Sequence, residues 1–242
     1  MINKYSVTLS FPLGAQFNKN PMVLFFNRYL SFLKSLFCIN VERKCSSCIK
    51  SEGCRYYLYT GNEFILPSAI LTDIDIFCKR RYEKNEELSC DIYFVGNAEN
   101  LTETISLFIE HHLAQSFFGN FFCLKYLKLT EIESEYFDGN IVLSFKNPLT
   151  ENSVEKIYNE TVDIYNKNYK TNFFSANINE KSNNLTYQKY PSIRLQGKFI
   201  KGSGFVGDVE CEASNLSLGL IKTSMGVNNV IGGGRCEIKN SI

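Results

Sequence analysis

Residues 194–238 read RLQGKFIKGSGFVGDVECEASNLSLGLIKTSMGVNNVIGGGRCEI, and the glycines in this stretch decide the expected fold. Three of them follow two apolar residues and precede an alternating strand, which predicts a β-hairpin turn. These three are Gly202, Gly204 and Gly207. A second cluster, Gly226 and 232–234, separates a short amphipathic segment from a final strand over residues 235–239. The stretch therefore predicts a hairpin, a helix and a last strand.

The three consecutive glycines also suggest a binding surface. Glycine runs cost backbone entropy and usually occur where φ is positive or where another group approaches closely. Backbone N–H groups exposed in such a turn can hold phosphates. Basic side chains flank both turns, namely Arg194, Lys198, Lys201, Lys222 and Arg235. The alternative is a flexible loop beside an ordinary solvated charged face.

The same residues resemble the closing segment of the CRISPR-associated RAMP superfamily. The pattern R-x-Q-G-K, then G-F-V-G-D-V-E, then a helix and G-V-x-x-x-x-G-G-G-R, is most similar to the crRNA-maturing endoribonuclease branch of the Cas-six type. In that family the glycine-rich loop precedes the last strand of a second ferredoxin-like domain and lies against RNA. The resemblance thus implies RNA contacts by Arg194, Lys198, Lys201, Gly204, Lys222, Gly232, Gly233, Gly234 and Arg235.

Hydrophobic periodicity along the chain predicts the βαββαβ order of a ferredoxin-like unit twice. In the first unit, strands are expected over residues 5–11, 56–59, 89–95 and 122–132, with helices over 20–38 and 99–118. In the second, they are expected over 140–145, a hairpin within 192–213 and a last strand at 235–239, with helical segments over 153–169 and 215–225. A polar insertion is expected over 170–190.

The predicted fold class is α+β, with tandem ferredoxin-like (RRM-like) domains, as the resemblance also implies. The N-terminal domain is placed at residues 1–138 and carries a cysteine-rich loop insertion. The C-terminal domain is placed at residues 139–242 and carries the glycine-rich loop.

The amino-acid composition excludes some classes of protein. The chain has 242 residues, 44% of them hydrophobic, and a net charge of +1, which argues against non-specific coating of nucleic acid but allows a local basic surface. No apolar run is long enough to span a membrane, and residues 1–11 lack the continuous apolar core of a signal peptide. A cytoplasmic protein without a membrane partner is therefore expected, and its nine cysteines are expected to be thiols or metal ligands.

Four cysteines lie close together in the sequence. Cys45, Cys48 and Cys54 form C-x2-C-x5-C, and Cys38 precedes them. A C-x2-C step suits tetrahedral zinc, and two further sulfurs could complete the shell. A structural zinc ion is the first expectation and an iron–sulfur cluster the second, while ordinary buried cysteines are the alternative. No cofactor is expected for catalysis.

The resemblance also implies a chemistry that needs no metal. A base deprotonates a ribose 2′-hydroxyl, a cation stabilises the charged phosphorane, and an acid protonates the leaving 5′-oxygen. Many family members use a histidine in or near the first helix, but the only histidines here are His111 and His112. By resemblance to members without that histidine, Arg28, Tyr29 and Lys34 are expected to be catalytic. The alternative is that Tyr29 is a core residue and that Arg28 and Lys34 are solvated cations.

The preferred interpretation is an endoribonuclease that processes precursor CRISPR RNA within the repeat, with or without retention of its product. A catalytically inactive RNA-binding RAMP subunit of a CRISPR effector complex, with other Cas proteins as partners, is the alternative. A third is a cysteine-zinc protein that binds other proteins. Two basic runs, Lys79-Arg80-Arg81 and Arg43-Lys44, could follow phosphates or be solvated turns.

Overall fold

The computed structural model describes residues 1–38, 44–114 and 116–239. Within these residues, no helix combines the length and the apolar character that crossing a bilayer requires.

The first half of the chain forms a four-stranded antiparallel sheet. Its strands are β1 (Ile2–Phe11), β2 (Ile70–Thr72), β3 (Glu86–Val95) and β4 (Cys123–Ile132). They lie in the spatial order β2-β3-β1-β4, the order of a ferredoxin-like sheet.

Helix α1 (Pro21–Phe37) is specified by its own first residues. The Asn20 side chain accepts hydrogen bonds from the backbone N–H groups of Met22 and Val23, and Pro21 occupies the first helical position. One face of the helix is buried against the first sheet and against the helical segment that precedes β4. That segment consists of a 3-10 turn, α3 (Glu103–Leu107) and a π-helix.

The second half repeats this plan. Its sheet contains β5 (Tyr136–Leu149), β6 (Asn177–Asn183), β7 (Thr186–Gln188), β10 (Gly204–Ser217) and β11 (Cys236–Lys239). The spatial order is β6-β10-β5-β11, with β7 also paired to β10. The helices are α4 (Val154–Tyr169) and α5 (Leu218–Thr223). The predicted tandem ferredoxin-like fold is confirmed.

The remaining elements are short. They are the helices α2 (Arg55–Tyr59) and Gly61–Phe64; the strands β8 (Ile193–Leu195) and β9 (Lys198–Ile200); the two-residue ladders Ala15–Gln16 with Arg81–Tyr82 and Ser116–Phe117 with Asn120–Phe121; and the turns Cys45–Ser47, Ser51–Gly53, Gly96–Leu101, Phe108–Leu113 and Val227–Ile231.

Three sequence-based element predictions are wrong. Residues 56–59 form helix α2, because Tyr56 and Tyr59 are buried one helical turn apart. The second strand of the second sheet lies inside the supposed polar insertion, where an edge strand with exposed polar side chains hides its pattern. The helix predicted to end at Gly119 ends at Ala114, which has a left-handed φ of 45°.

The hairpin turn also lies elsewhere than predicted. It is formed by Gln196 and Gly197, both with positive φ, between β8 and β9. This is the backbone geometry of a type I′ turn, which matches the twist of paired strands. Gly202 and Gly204 instead lie where the chain passes closely over Pro191 and Leu149, so a Cβ at either position would overlap a carbonyl oxygen.

Buried polar contacts join the two halves. The Asn229 side chain is fully buried and accepts a hydrogen bond from the Ser68 backbone N–H at 2.8 Å, while its amide donates to the Ser68 carbonyl at 3.0 Å. The Tyr169 hydroxyl of α4 donates to the Pro67 carbonyl at 2.7 Å. The chain passes from β4 to β5 through residues 133–135, and the domain boundary at 138/139 stays a prediction.

Candidate functional site

Three adjoining cavities run along one side of the join between the halves. The C-terminal cavity, of about 870 Å³, shares Lys146 and Asn147 with the central cavity, of about 180 Å³. The central cavity shares Ile76 and Ile193 with the hairpin cavity, of about 570 Å³, which lies between α1 and the β8–β9 hairpin. Because neighbours share walls, the three form one surface, called here the basic cleft.

Cations outnumber carboxylates along this cleft. Its carboxylates are Asp73, Asp75 and Glu237. Its basic side chains are Lys19, Arg80, Lys146, Arg194, Lys201, Lys222 and Arg235. A chain with a net charge of only +1 therefore concentrates positive charge on one face, which favours an anionic, extended ligand.

The glycine turns do not form the predicted phosphate cradle. Gly232, Gly233 and Gly234 are buried, and their N–H groups donate to the carbonyls of Asn229, Asn228 and Pro148. Their small size serves packing, since a Cβ at Gly234 would lie 2.6 Å from the Met225 carbonyl oxygen. Gly204 is buried as well. The expected RNA contacts of these four glycines are contradicted, because their backbone donors are used inside the protein or covered.

Two of the predicted cations already have partners. Lys198 forms an ion pair of 2.9 Å with Glu63, whose side chain is only 6% exposed, and so ties the hairpin to the first half. Arg235 pairs with Asp73 at the wall of the C-terminal cavity. The side chains of Arg194, Lys201 and Lys222 are exposed and line the cleft.

The hairpin is held against α1 by a set of amide hydrogen bonds. The Asn27 side-chain oxygen accepts from the Gln196 backbone N–H at 2.8 Å, and the Gln196 side-chain amide donates to the Asn27 carbonyl at 2.8 Å and to Ser31 at 2.9 Å. The Asn27 amide in turn donates to the Arg194 carbonyl at 3.0 Å. These contacts fix the position of Arg194 relative to the first half.

Tyr29, a predicted catalytic residue, belongs to the core. It is 0% exposed, and its ring packs edge-to-face on Phe94 and Phe108. Its hydroxyl is 2.7 Å from the Thr104 hydroxyl, and burial raises the pKa of Tyr29 well above its usual range. A substrate ribose cannot contact this side chain in the folded protein, so the structure contradicts its predicted role.

The other two candidates on α1 face different surroundings. Arg28 is exposed beside His112. The His112 ring stacks on Phe108, and its centroid lies 5.3 Å from the centroid of the Phe32 ring. Partial burial and the Arg28 charge both lower the pKa of His112. Lys34 is half-buried next to the cysteine loop, where its charge acts on Cys45. The three predicted catalytic residues are therefore not brought together.

The four cysteines do converge. Cys38, Cys45, Cys48 and Cys54 line one cavity of about 640 Å³ together with Tyr56. Burial, and then the nearby Glu63 carboxylate, raise the pKa of the Cys45 thiol to about 12. Their donor type suits zinc, yet among the residues that the structure describes no three His, Cys, Asp or Glu side chains stand at the spacing of metal ligands.

Among the described residues of the two basic runs, one cation lines the cleft. Arg80 lines the hairpin cavity, whereas Lys79 and Arg81 form ion pairs with Glu86 and Glu83. Arg43 of the second run lies outside the described residues. The sequence analysis did not identify Lys19 and Lys146 as cleft residues. For Lys146, the available signal was its position just before Asn147-Pro148, near the end of β5, where the side chain is exposed.

Solved structures share this fold, although comparisons by sequence find no match. No protein-family model matches the chain, and no curated protein matches it by sequence. Among solved structures, the Cas6 product complex of Thermus thermophilus is 8% identical, with a TM-score of 0.53 over 98% of this chain and 99% of that one. A second Cas6 product complex is 10% identical (TM-score 0.49, 99% and 100% covered), and a RAMP protein binding different RNA substrates is 11% identical (TM-score 0.48, 98% and 100% covered). The first of these likenesses, with its TM-score of 0.53, shows that the chain has the fold of a Cas6-type CRISPR RAMP protein.

Proposed function

We propose that this chain is a metal-independent endoribonuclease that cuts precursor CRISPR RNA within the repeat and can retain its product. The observation that carries the proposal is the basic cleft, a row of exposed cations along the join of two ferredoxin-like halves. A ribose-phosphate chain matches its charge, since phosphate contacts supply a large share of the affinity in such complexes. The fold likeness to a Cas6 product complex supports the same ligand class.

The cleavage chemistry needs groups that position the 2′-hydroxyl and stabilise charge on the scissile phosphate. Arg28 is the remaining candidate on α1 that is exposed, and a guanidinium can hold two phosphate oxygens at once. Lys34 also stays a proposal; its side chain is half-buried beside the cysteine loop. Neither role requires a bound metal.

Incubation of the purified protein with a CRISPR repeat RNA in EDTA tests the proposal. We expect one cut within the repeat and a 2′,3′-cyclic phosphate on the upstream fragment. The Arg28→Ala variant should cut more slowly with its affinity largely kept. An RNA that stays intact although it is bound would contradict the nuclease and leave an RNA-binding protein.

That second function has its own support. Tyr29 is buried, and α1 contains no histidine, so the usual proton-transfer groups are missing from this helix. A catalytically inactive RNA-binding RAMP subunit of a CRISPR effector complex, assembled with other Cas proteins, needs only the cleft. Equal product levels with wild type, Arg28→Ala and a no-protein control would favour it.

A structural zinc ion at Cys38, Cys45, Cys48 and Cys54 stays a separate proposal. The four soft donors and the Tyr56 hydroxyl support it, since that hydroxyl is buried with no hydrogen-bond partner among the described residues and could donate to a thiolate. The present spacing of the thiols does not. Such an ion would anchor the loop and take no part in cleavage.

A further inference from the structure

Two phenylalanine side chains stand out along the basic cleft because they are largely in water. Phe77 is 78% exposed and Phe199 is 73% exposed. A single exposed apolar residue needs no explanation. Here two exposed rings lie beside one cationic surface, since Phe77 lines the central cavity and Phe199 contacts Arg194 of the hairpin cavity.

Phe199 is paired with a cation by the strand register. It lies on β9 directly opposite Arg194 on β8, and the Arg194 guanidinium carbon is 5.5 Å from the ring centroid. The hydrogen bonds that hold the hairpin on α1 keep Arg194 at the wall of the hairpin cavity, so Phe199 lies next to that cavity through its contact with Arg194. The arrangement offers an aromatic face for a base and a guanidinium for the neighbouring phosphate.

Phe77 repeats the arrangement one cavity further along. It lines the central cavity with Lys146 and Lys201, and its backbone N–H donates to the Asp75 carboxylate at 2.8 Å, which fixes the turn that carries the ring. The central and hairpin cavities share Ile76 and Ile193. Phe77 therefore lines this continuous path, and Phe199 adjoins it through Arg194.

We propose that Phe77 and Phe199 are stacking sites for unpaired RNA bases, so that this part of the cleft binds the repeat as a single strand. The inference rests on the proposed function, because it takes the ligand of the cleft to be RNA. In a duplex, each base is covered on both faces by its neighbours, and proteins recognise the helix by shape, phosphates and 2′-hydroxyls. Exposed rings flanked by cations are suited to splayed bases.

The test measures the affinity of the full chain for a mixed-sequence RNA strand of about 15 nucleotides, long enough to span several stacking sites, and for the same strand annealed to its complement. Phe199→Ala and Phe77→Ala should each weaken single-strand binding about tenfold, and duplex binding much less. Phe199→Tyr keeps the ring and should restore binding. Phe174→Ala is the matched control, since Phe174 is 61% exposed but packs on Tyr136 away from the cleft.

The salt dependence separates stacking from charge. Both alanine variants should keep the wild-type slope of affinity against salt, because neither removes a cation. Wild-type affinity in both variants, or equal losses for strand and duplex, would overturn the stacking sites alone. A wild-type protein that binds neither RNA would overturn the proposed function as well, and binding without cleavage would remove only the nuclease.

Discussion

The Asn229 side-chain amide donates a hydrogen bond of 2.7 Å to the Tyr165 hydroxyl, and both groups are buried where the two halves meet. Tyr165 donates in turn to the Ser68 carbonyl at 3.1 Å. One asparagine thus satisfies backbone groups of the first half while it contacts a helix of the second.

Replacement of Asn229 by leucine should destabilise the protein by about 2–4 kcal/mol, because it leaves the Ser68 backbone groups and Tyr165 without a partner. Urea unfolding measures the change. Asn100→Ala is the control, since Asn100 is exposed and its amide donates to the nearby Asn97 carbonyl, and it should stay within about 0.5 kcal/mol of wild type. Equal unfolding midpoints for the two variants would show that Asn229 does not join the halves.

Gly234→Ala tests whether the glycine turn is packed or open. With φ of 71° and the Met225 carbonyl 2.6 Å from an added Cβ, alanine should cost about 1–3 kcal/mol of stability. Gly53→Ala, where a Cβ meets nothing within 4 Å, should be nearly neutral. If the turn held phosphates instead, Gly234→Ala would lower RNA affinity and leave the unfolding free energy unchanged.

Arg28→Ala should raise the pKa of His112, because a nearby positive charge disfavours the imidazolium. An NMR titration of the histidine ring measures it, with Arg81→Ala as the control, since Arg81 is an exposed cation that pairs with Glu83. The unfolded chain binds a proton at this site more readily than the folded chain does, so wild-type stability should fall as the pH drops through about 6.5, and less so in the variant. An unchanged His112 titration would place Arg28 away from the ring.

Metal analysis of the purified protein tests whether the cysteine loop binds zinc. If zinc is present, purified reduced protein should contain about one ion per chain, as a structural four-thiolate site holds, and EDTA should lower its unfolding temperature. Cys54→Ser should lose the ion, whereas Cys123→Ser, an exposed cysteine on β4, should keep it. Protein that neither carries zinc nor takes it up would remove this proposal and leave the RNA proposals untouched.

Lys146→Ala should weaken RNA binding and reduce the slope of log affinity against log salt by about 0.7 to 1, as expected for one lost phosphate contact. Lys146 borders two cavities of the basic cleft. Lys125→Ala, an exposed cation on β4, should leave the slope unchanged. Identical slopes in all three proteins would mean that RNA follows another surface.

The fold was predictable because its signals are local and repeated. Asn20-Pro21 and the apolar periodicity after it specify α1, and alternating apolar residues specify β1, β3 and β5. The sequence analysis did not predict the edge strand β6, because nearly all of its side chains are polar and few of them are buried. Edge strands in general carry weak patterns of this kind.

The site was less predictable, because burial depends on contacts between distant parts of the chain. Glycine composition is equally compatible with an open phosphate loop and with a packed turn, and only the position of Met225 beside Gly234 distinguishes them. The position of Tyr29 along α1 does not by itself show whether its side chain is buried or faces solvent. Lys146 and Lys19 enter the cleft only when the halves come together.

The β8–β9 hairpin is part of the second half, yet it rests on α1 of the first through Asn27 and Gln196. Any molecule lodged between that hairpin and α1 touches both halves at once, so its binding energy also opposes their separation. Ligand binding in this cavity and association of the two halves are therefore thermodynamically linked, and a ligand held there would stabilise the folded protein.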